Sequence, residues 1–292
     1  MSADNIYDSV YSEVISLMRI IPLALILAAL IHGAAPAQTI WTVQPDGSGD
    51  APTISAAIDS AASGDRIIVY AGWYTESGLV VDGKDLTFQY QGGIPIIVSS
   101  GTGVGTGITF RNTGPGTSIL GFEFRDYDTA VSIEDSDGTY WYLTIRYCNT
   151  GVSISGVSSA PTVMFSLVDS CGTGIGVSGG SGVSIRNMTI VNAEVGIESL
   201  GGSATVSRSI IYGCDTGAQC SGGALTLSCN NFHLNTADYG GCAAGPDDFY
   251  DQTLFCLDAG GSPGPYYLDD ASPCWAANNT CGVDMGAFTQ SA

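Results

Sequence analysis

The chain is short of charge. Only 12% of its 292 residues are Asp, Glu, Lys or Arg, about half the ~25% of an ordinary soluble domain. Cations are scarcest, with 8 Lys and Arg against 28 Asp and Glu and a formal net charge of −20. So few cations cannot build the basic stripe that nucleic-acid binding needs. The same balance repels polyanionic polymers unless the cations cluster, and otherwise serves solubility. Histidine is nearly missing: His32 and His233 are all there are. Zinc sites and Cys–His nucleophile pairs are therefore short of partners. The longest apolar run, residues 20–31, falls short of the ~20 residues that cross a bilayer.

That run has another use. "MRIIPLALILAALIHGAAPAQ" begins at Met18, carries one positive charge and ends on Ala35-Pro36-Ala37. This is the order of a secretory signal peptide. Residues 1–37 are expected to be that signal, with Met18 as an alternative start. The protein is then secreted or extracellular, or periplasmic, with no membrane span after processing.

What replaces charge is Gly, Ser, Thr and Asn, with 40 Gly in all. Small residues recur at Ala130, Gly151, Gly174, Gly196, Gly217 and Asp238, at spacings of 21, 23, 22, 21 and 21. A fixed period of this kind marks a repeat architecture. Stacked units give apolar columns: Phe124, Ile145, Val168, Ile190, Ile211 and Phe232 form one, and Val131, Val152, Ile175, Ile197 and Ala218 another. Ile133, Ile154 and Val177 form a third. Polar neighbours on both sides give the period of two that belongs to half-buried strands. A helix-free unit of this length fits one coil of a parallel β-helix, and Gly151 is expected to permit its bend. The Leu and Asn ladder of leucine-rich repeats and the "GGxGxD" calcium nonapeptide are both absent. At the start, "APTISAAIDSAASGD" places Ile54, Ala57, Ile58 and Ala61 or Ala62 on one helical face, with Thr53 as cap.

"VQPDGSGDAPTISAAIDSAASGDRIIVYAGWYTES" resembles the capping helix and first coil of secreted right-handed β-helix proteins of the pectin-lyase-like superfamily. "FCLDAGGSPGPYYLDDASPCWAANNTCGVDMGAF" resembles the ending of their bacterial secreted members. With the coils, the resemblance covers about residues 40–290. It implies an all-β fold: a right-handed parallel β-helix of eight or nine coils, with an N-terminal capping helix and a disulfide-rich C-terminal cap. The expected divisions are strand and helix 38–66, coils 67–228 and cap 229–292. The superfamily holds lyases, glycosidases, esterases, adhesins and non-enzymes, so fold alone assigns no activity. The "DFIFG" and "QAxxR" strings of pectin methylesterases are absent. So are the "NTD", "DD" and "GHG" strings of polygalacturonases taken together, and the "RxPxxR" of the main pectate lyases.

Chemistry must therefore be sought in placement. Carboxylates that could pair for glycoside cleavage are Glu123, Asp126, Asp128, Glu134, Asp135, Asp137 and Asp169, but most sit in turns, where Asp is ordinary. The outward position after the Phe124 column holds Arg125, Arg146 and Asp169 on successive coils. Tyr127, Tyr140, Trp141, Tyr142 and Tyr147 are near in sequence. Arginine beside exposed aromatic rings suits an acidic sugar, through bidentate contact with a carboxylate and ring stacking. Arg125, Arg146, Asp169, Tyr147 and Trp141 are the candidate ligand-binding residues. The competing reading is a surface Arg–Asp ladder beside a covered loop.

Nine cysteines follow residue 147. Cys148, Cys171 and Cys214 share a column, where either a Cys148–Cys171 disulfide or stacked thiols fit. Cys229, Cys242, Cys274 and Cys281 are disulfide candidates for the cap, with 229–242 and 274–281 as short-loop pairings, although spacing does not fix connectivity. No metal site or cofactor is expected; calcium has no supporting motif. The leading expectation is a non-catalytic protein that binds a polysaccharide or cell-surface glycan, or mediates extracellular surface contacts. A polysaccharide lyase or glycoside hydrolase is the alternative, and a self-assembling structural solenoid the second.

Overall fold

Short strands wind through three parallel sheets in a computed structural model that describes residues 38–156, 160–255 and 266–288. The expected signal peptide and Cys256 lie outside the described residues. One coil reads Thr139–Trp141, Thr144–Arg146 and Thr150–Ser155. Each strand pairs in parallel with its counterparts on the coils before and after. The first sheet runs over nine strands from Ile40–Val43 to Ala224–Ser228. The second runs over eight from Trp73–Thr75 to Asn231–His233, and the third over eight from Leu79–Asp82 to Ala237–Gly240. The fold is an all-β parallel β-helix, as expected. Its strands continue to Gly240, past the boundary at 228, because Phe232 keeps its place in the core column although the surrounding composition changes.

The column of Phe124, Ile145, Val168, Ile190, Ile211 and Phe232 is in register and buried. So is that of Val131, Val152, Ile175, Ile197 and Ala218. Alternation along each strand sends one side inward, and stacking at about 4.8 Å per coil joins the inner sides into one core. Tyr127 and Tyr140 belong to that core, so they line no surface site.

The first two corners of each coil turn on residues in the left-handed region. From the first sheet to the second these are Gly121, Tyr142 (φ 52°), Phe165 (φ 50°), Asn187, Arg208 and Cys229. From the second to the third they are Asp126, Tyr147, Ser170, Asn192, Gly213 and Leu234. The residue after the first corner points inward, and Ser166 and Ser209 there accept from the backbone N–H of Leu143 and Met188 on the preceding coil, leaving no buried amide unpaired at those corners. The bend thus lies at Tyr147 rather than at Gly151. Gly151 answers a different need: a Cβ there would sit 2.5 Å from the carbonyl oxygen of Gly174, and one on Gly174 2.3 Å from that of Gly196. The coils approach too closely in this column for a side chain.

The N-terminal helix, α1, is Ile54–Ser60; Thr53 caps it by accepting from Ala56 N–H, and Ile54, Ala57 and Ile58 are buried. Glu76 also accepts from the amides of Ile54 and Ser55. At the other end the tail departs from a simple end cap. Residues 241–248 cross the last coil, tied by Asn230 and Tyr239 to Asp248. Residues 249–255 and 266–288 then run back along the outer face of the second sheet. There Ile210, Leu268, Cys274 and Met285 form one small core, and Leu167, Val191 and Ala287 another. The disulfides are Cys220–Cys242 and Cys229–Cys281. The short-loop pairings are not formed, because Cys242 lies one coil beyond Cys220 and the returning tail brings Cys281 to Cys229. Cys274 is free and buried.

Candidate functional site

The outer face of the second sheet is in two parts. Outward positions from Leu167 to Ile210 are buried: Leu167 is 2% exposed, and Val191 and Ile210 are fully covered. The tail lies on them, with Ala287 N–H donating to Thr189 Oγ1 at 2.8 Å. Before Leu167 the face is open, and Trp73 at its far end is 61% exposed. The open part carries Glu123 and Arg125 on one strand and Thr144 and Arg146 on the next, in register.

Arg125 is committed to the protein. Its Nε donates to Glu123 Oε1 at 2.5 Å, and its Cζ lies 5.3 Å from the centre of the Trp73 ring, a cation–π distance. Arg146 is not so held. Its nearest carboxylate oxygen, Glu123 Oε1, is 3.9 Å from its Nε, its side chain is 27% exposed, and that Nε is buried with no hydrogen-bond partner among the described residues. Asp169, next in the row, closes the open face. It accepts from Ser170 Oγ, Asn192 Nδ2 and the Tyr266 hydroxyl at 2.9, 3.2 and 3.0 Å. Burial and the facing Asp169 charge push the Tyr266 hydroxyl up to about 12, so it stays a donor to that carboxylate.

Of the five expected ligand-binding residues, Arg125, Arg146 and Asp169 share one outward row. Tyr147 stands at the corner beside that row, about half exposed. Trp141 lies around the other corner on the first sheet. The left-handed turn at Tyr142 carries it off the face.

The sequence pattern did not indicate the aromatic corner next to Thr144. Tyr142 and Phe165 stack there with centroids 5.4 Å apart and planes 13° apart. From the tail, Tyr267 and Phe288 stack at 4.6 Å and 15°. With Tyr90 and Thr144 they line a cleft of about 400 Å³. The column of corner residues would have indicated Phe165, one repeat after Tyr142. Tyr267 and Phe288 lie outside the repeat and carry no such signal.

Three of the candidate carboxylates are engaged within the protein. Asp128 accepts from Asn149, Asp137 from the amide of Ala160, and Glu134 from Ser132. The column thiols are free: Cys148, Cys171 and Cys214 each turn back to the carbonyl oxygen two residues earlier. The adjoining Cys148 and burial push the Cys171 thiol up. His233 faces outward four coils from Cys148, roughly 19 Å along the stack, and its Nδ1 lies 3.1 Å from the Tyr250 carbonyl. No group of three or more His, Cys, Asp and Glu placed to hold a metal ion exists among the described residues, and no described helix is long and apolar enough to cross a membrane.

A family model described as "Periplasmic copper-binding protein (NosD)" matches residues 58–246. Among solved structures, the crystal structure of pectate lyase Pel9A is similar with a TM-score of 0.54 at 16% identity, covering 89% of this chain and 98% of that one. An alginate lyase from Paenibacillus sp. str. FPU-7 is similar with a TM-score of 0.40 at 14% identity, covering 68% and 95%. At such identity the pectate lyase likeness concerns the fold alone. No curated protein matches the chain.

Proposed function

The chain belongs to the NosD family, described as periplasmic copper-binding proteins, and from that premise we propose that it binds a carboxylate-bearing polysaccharide outside the cytoplasm, on the open outer face of its second sheet. One observation carries the reading: among the described residues the Nε of Arg146 has no hydrogen-bond partner, and its carboxylate neighbour, Glu123 Oε1 at 3.9 Å, is already bonded to Arg125, in a chain that has only 8 Lys and Arg. An arginine left in this state is set to receive a planar anion, for which its guanidinium offers a matched pair of donors. Tyr147 and the Tyr142 corner flank it with ring faces. A carboxylated glycan supplies both the anion and the apolar ring surface. Binding without cleavage is favoured because the neighbouring carboxylates are engaged, Glu123 by Arg125 and Asp169 by three donors.

Among the described residues the copper of the family description finds no donor set: Cys148 and Cys171 are buried, and no group of three or more His, Cys, Asp and Glu stands together.

The test is an array of acidic and neutral polysaccharides probed with the protein, run beside an assay for unsaturated uronate products. Acidic glycans should bind, and Arg146→Ala should weaken that binding at least tenfold, by ~1.4 kcal/mol or more. Arg111→Ala, whose side chain pairs with Asp82 on the third sheet, should not. Binding to neutral glycans alone, or none, overturns the proposal; unsaturated product overturns its non-catalytic part.

A further inference from the structure

We propose that the cleft between the aromatic corner and the tail is a subsite for one pyranose ring of a uronate polysaccharide, with the carboxylate of that ring or of its neighbour turned to Arg146. This rests on the polysaccharide reading above and adds the ring's seat to it. Four observations converge.

The cleft is of the size that holds a small ligand, at about 400 Å³ against a usual range of roughly 300–1,000 Å³. Its walls are two stacked aromatic pairs, one from the coils and one from the tail, which offer flat faces to the C–H face of a sugar.

Among the described residues no charged side chain lines it. The hydroxyls around it belong to Tyr90, Tyr142, Thr144 and Tyr267. An acyl chain would leave such hydroxyls unpaired, whereas a pyranose carries hydroxyls at its rim to meet them.

Tyr142 and Phe165 occupy left-handed positions with φ of 52° and 50°, a corner where other coils place Gly121, Asn187, Arg208 and Cys229. A bulky residue is costly at such a φ, and Arg208 and Cys229 bear that cost too. What marks the cleft is that the two coils lining it place aromatic rings at this corner.

The cleft is continuous with the arginine face. Thr144 lines it, and Arg146 follows two residues along the same strand on its outer face, roughly 7 Å away.

Calorimetric titration with galacturonate, mannuronate and guluronate oligosaccharides tests this on the wild type, Tyr142→Asn, Phe288→Ala and Arg146→Ala. Asn already occupies the equivalent corner at residue 187, so Tyr142→Asn should melt no lower than wild type. It should nevertheless bind about tenfold more weakly, and Phe288→Ala likewise. If Tyr142→Asn binds as wild type while Arg146→Ala does not bind, the subsite is overturned and the polysaccharide reading stands. If Arg146→Ala binds as wild type, or the wild type binds none of the three, that reading falls and the subsite with it.

Discussion

The buried cysteines show how a single residue type serves this core. A thiol is small enough to stack at the coil spacing and can donate weakly to a corner carbonyl that also accepts a backbone N–H from the neighbouring coil. Cys214 does this with the carbonyl of Tyr212. Burial pushes its thiol up from 9.0 to about 11. The unfolded thiol therefore releases its proton first as pH rises. Its contribution to stability is complete below about pH 9 and is lost as pH climbs toward about 11. Cys214→Ser keeps a donor and removes the titration. Urea midpoints measured across that window should fall more steeply for the wild type than for the variant. Equal slopes would mean that burial does not hold the thiol protonated.

At the scale of the coil, the glycine column sets a limit that the core columns do not. A methyl group on Gly174 would lie 2.3 Å from the Gly196 carbonyl oxygen and 2.8 Å from Ile190 Cγ2, whereas one on Gly176 meets only Thr173 Cγ2 at 3.8 Å. Gly174→Ala should therefore cost about 1–3 kcal/mol or more by forcing two coils apart, and Gly176→Ala should stay within about 0.5 kcal/mol. Chemical denaturation of the two proteins makes the comparison. The small-residue column was visible in the sequence, and its period gave the coil length. Its reason was not, because a pattern of small residues looks the same whether it bends the chain or lets backbones meet. Some of the true bends fall on Gly121, Asn187 and Asn192, ordinary turn residues, but others fall on Tyr142, Phe165 and Leu234, residue types that carry no turn signal. The core columns were legible because burial imposes one hydropathy pattern on every coil.

The whole molecule decides what the surface rows can do. Arg125, Arg146 and Asp169 were legible as a row because strand register follows the repeat. The division of that row into open and covered parts was not, because it depends on contacts such as Tyr266 with Asp169 and Ala287 with Thr189, 97 and 98 residues apart and outside any period. Cys229–Cys281 fastens this arrangement, closing a separation of 52 residues, against 22 for Cys220–Cys242. Loop closure in the unfolded chain is worth about 4 kcal/mol for the longer and about 3 kcal/mol for the shorter. The longer bond also ties the tail to the coils whose face it covers. Replacing Cys229 and Cys281 together by Ser should thus act locally as well as on overall stability. Amide exchange should quicken in residues 266–288 and in the strands beneath them, Leu167–Asp169 and Thr189–Val191, before it changes in Thr129–Glu134. Binding of uronate oligosaccharides should weaken with it, since Tyr267 and Phe288 form one wall of the cleft. Exchange that quickens equally in every coil would show that the tail and the solenoid open as one unit, and that the disulfide acts only on the unfolded chain.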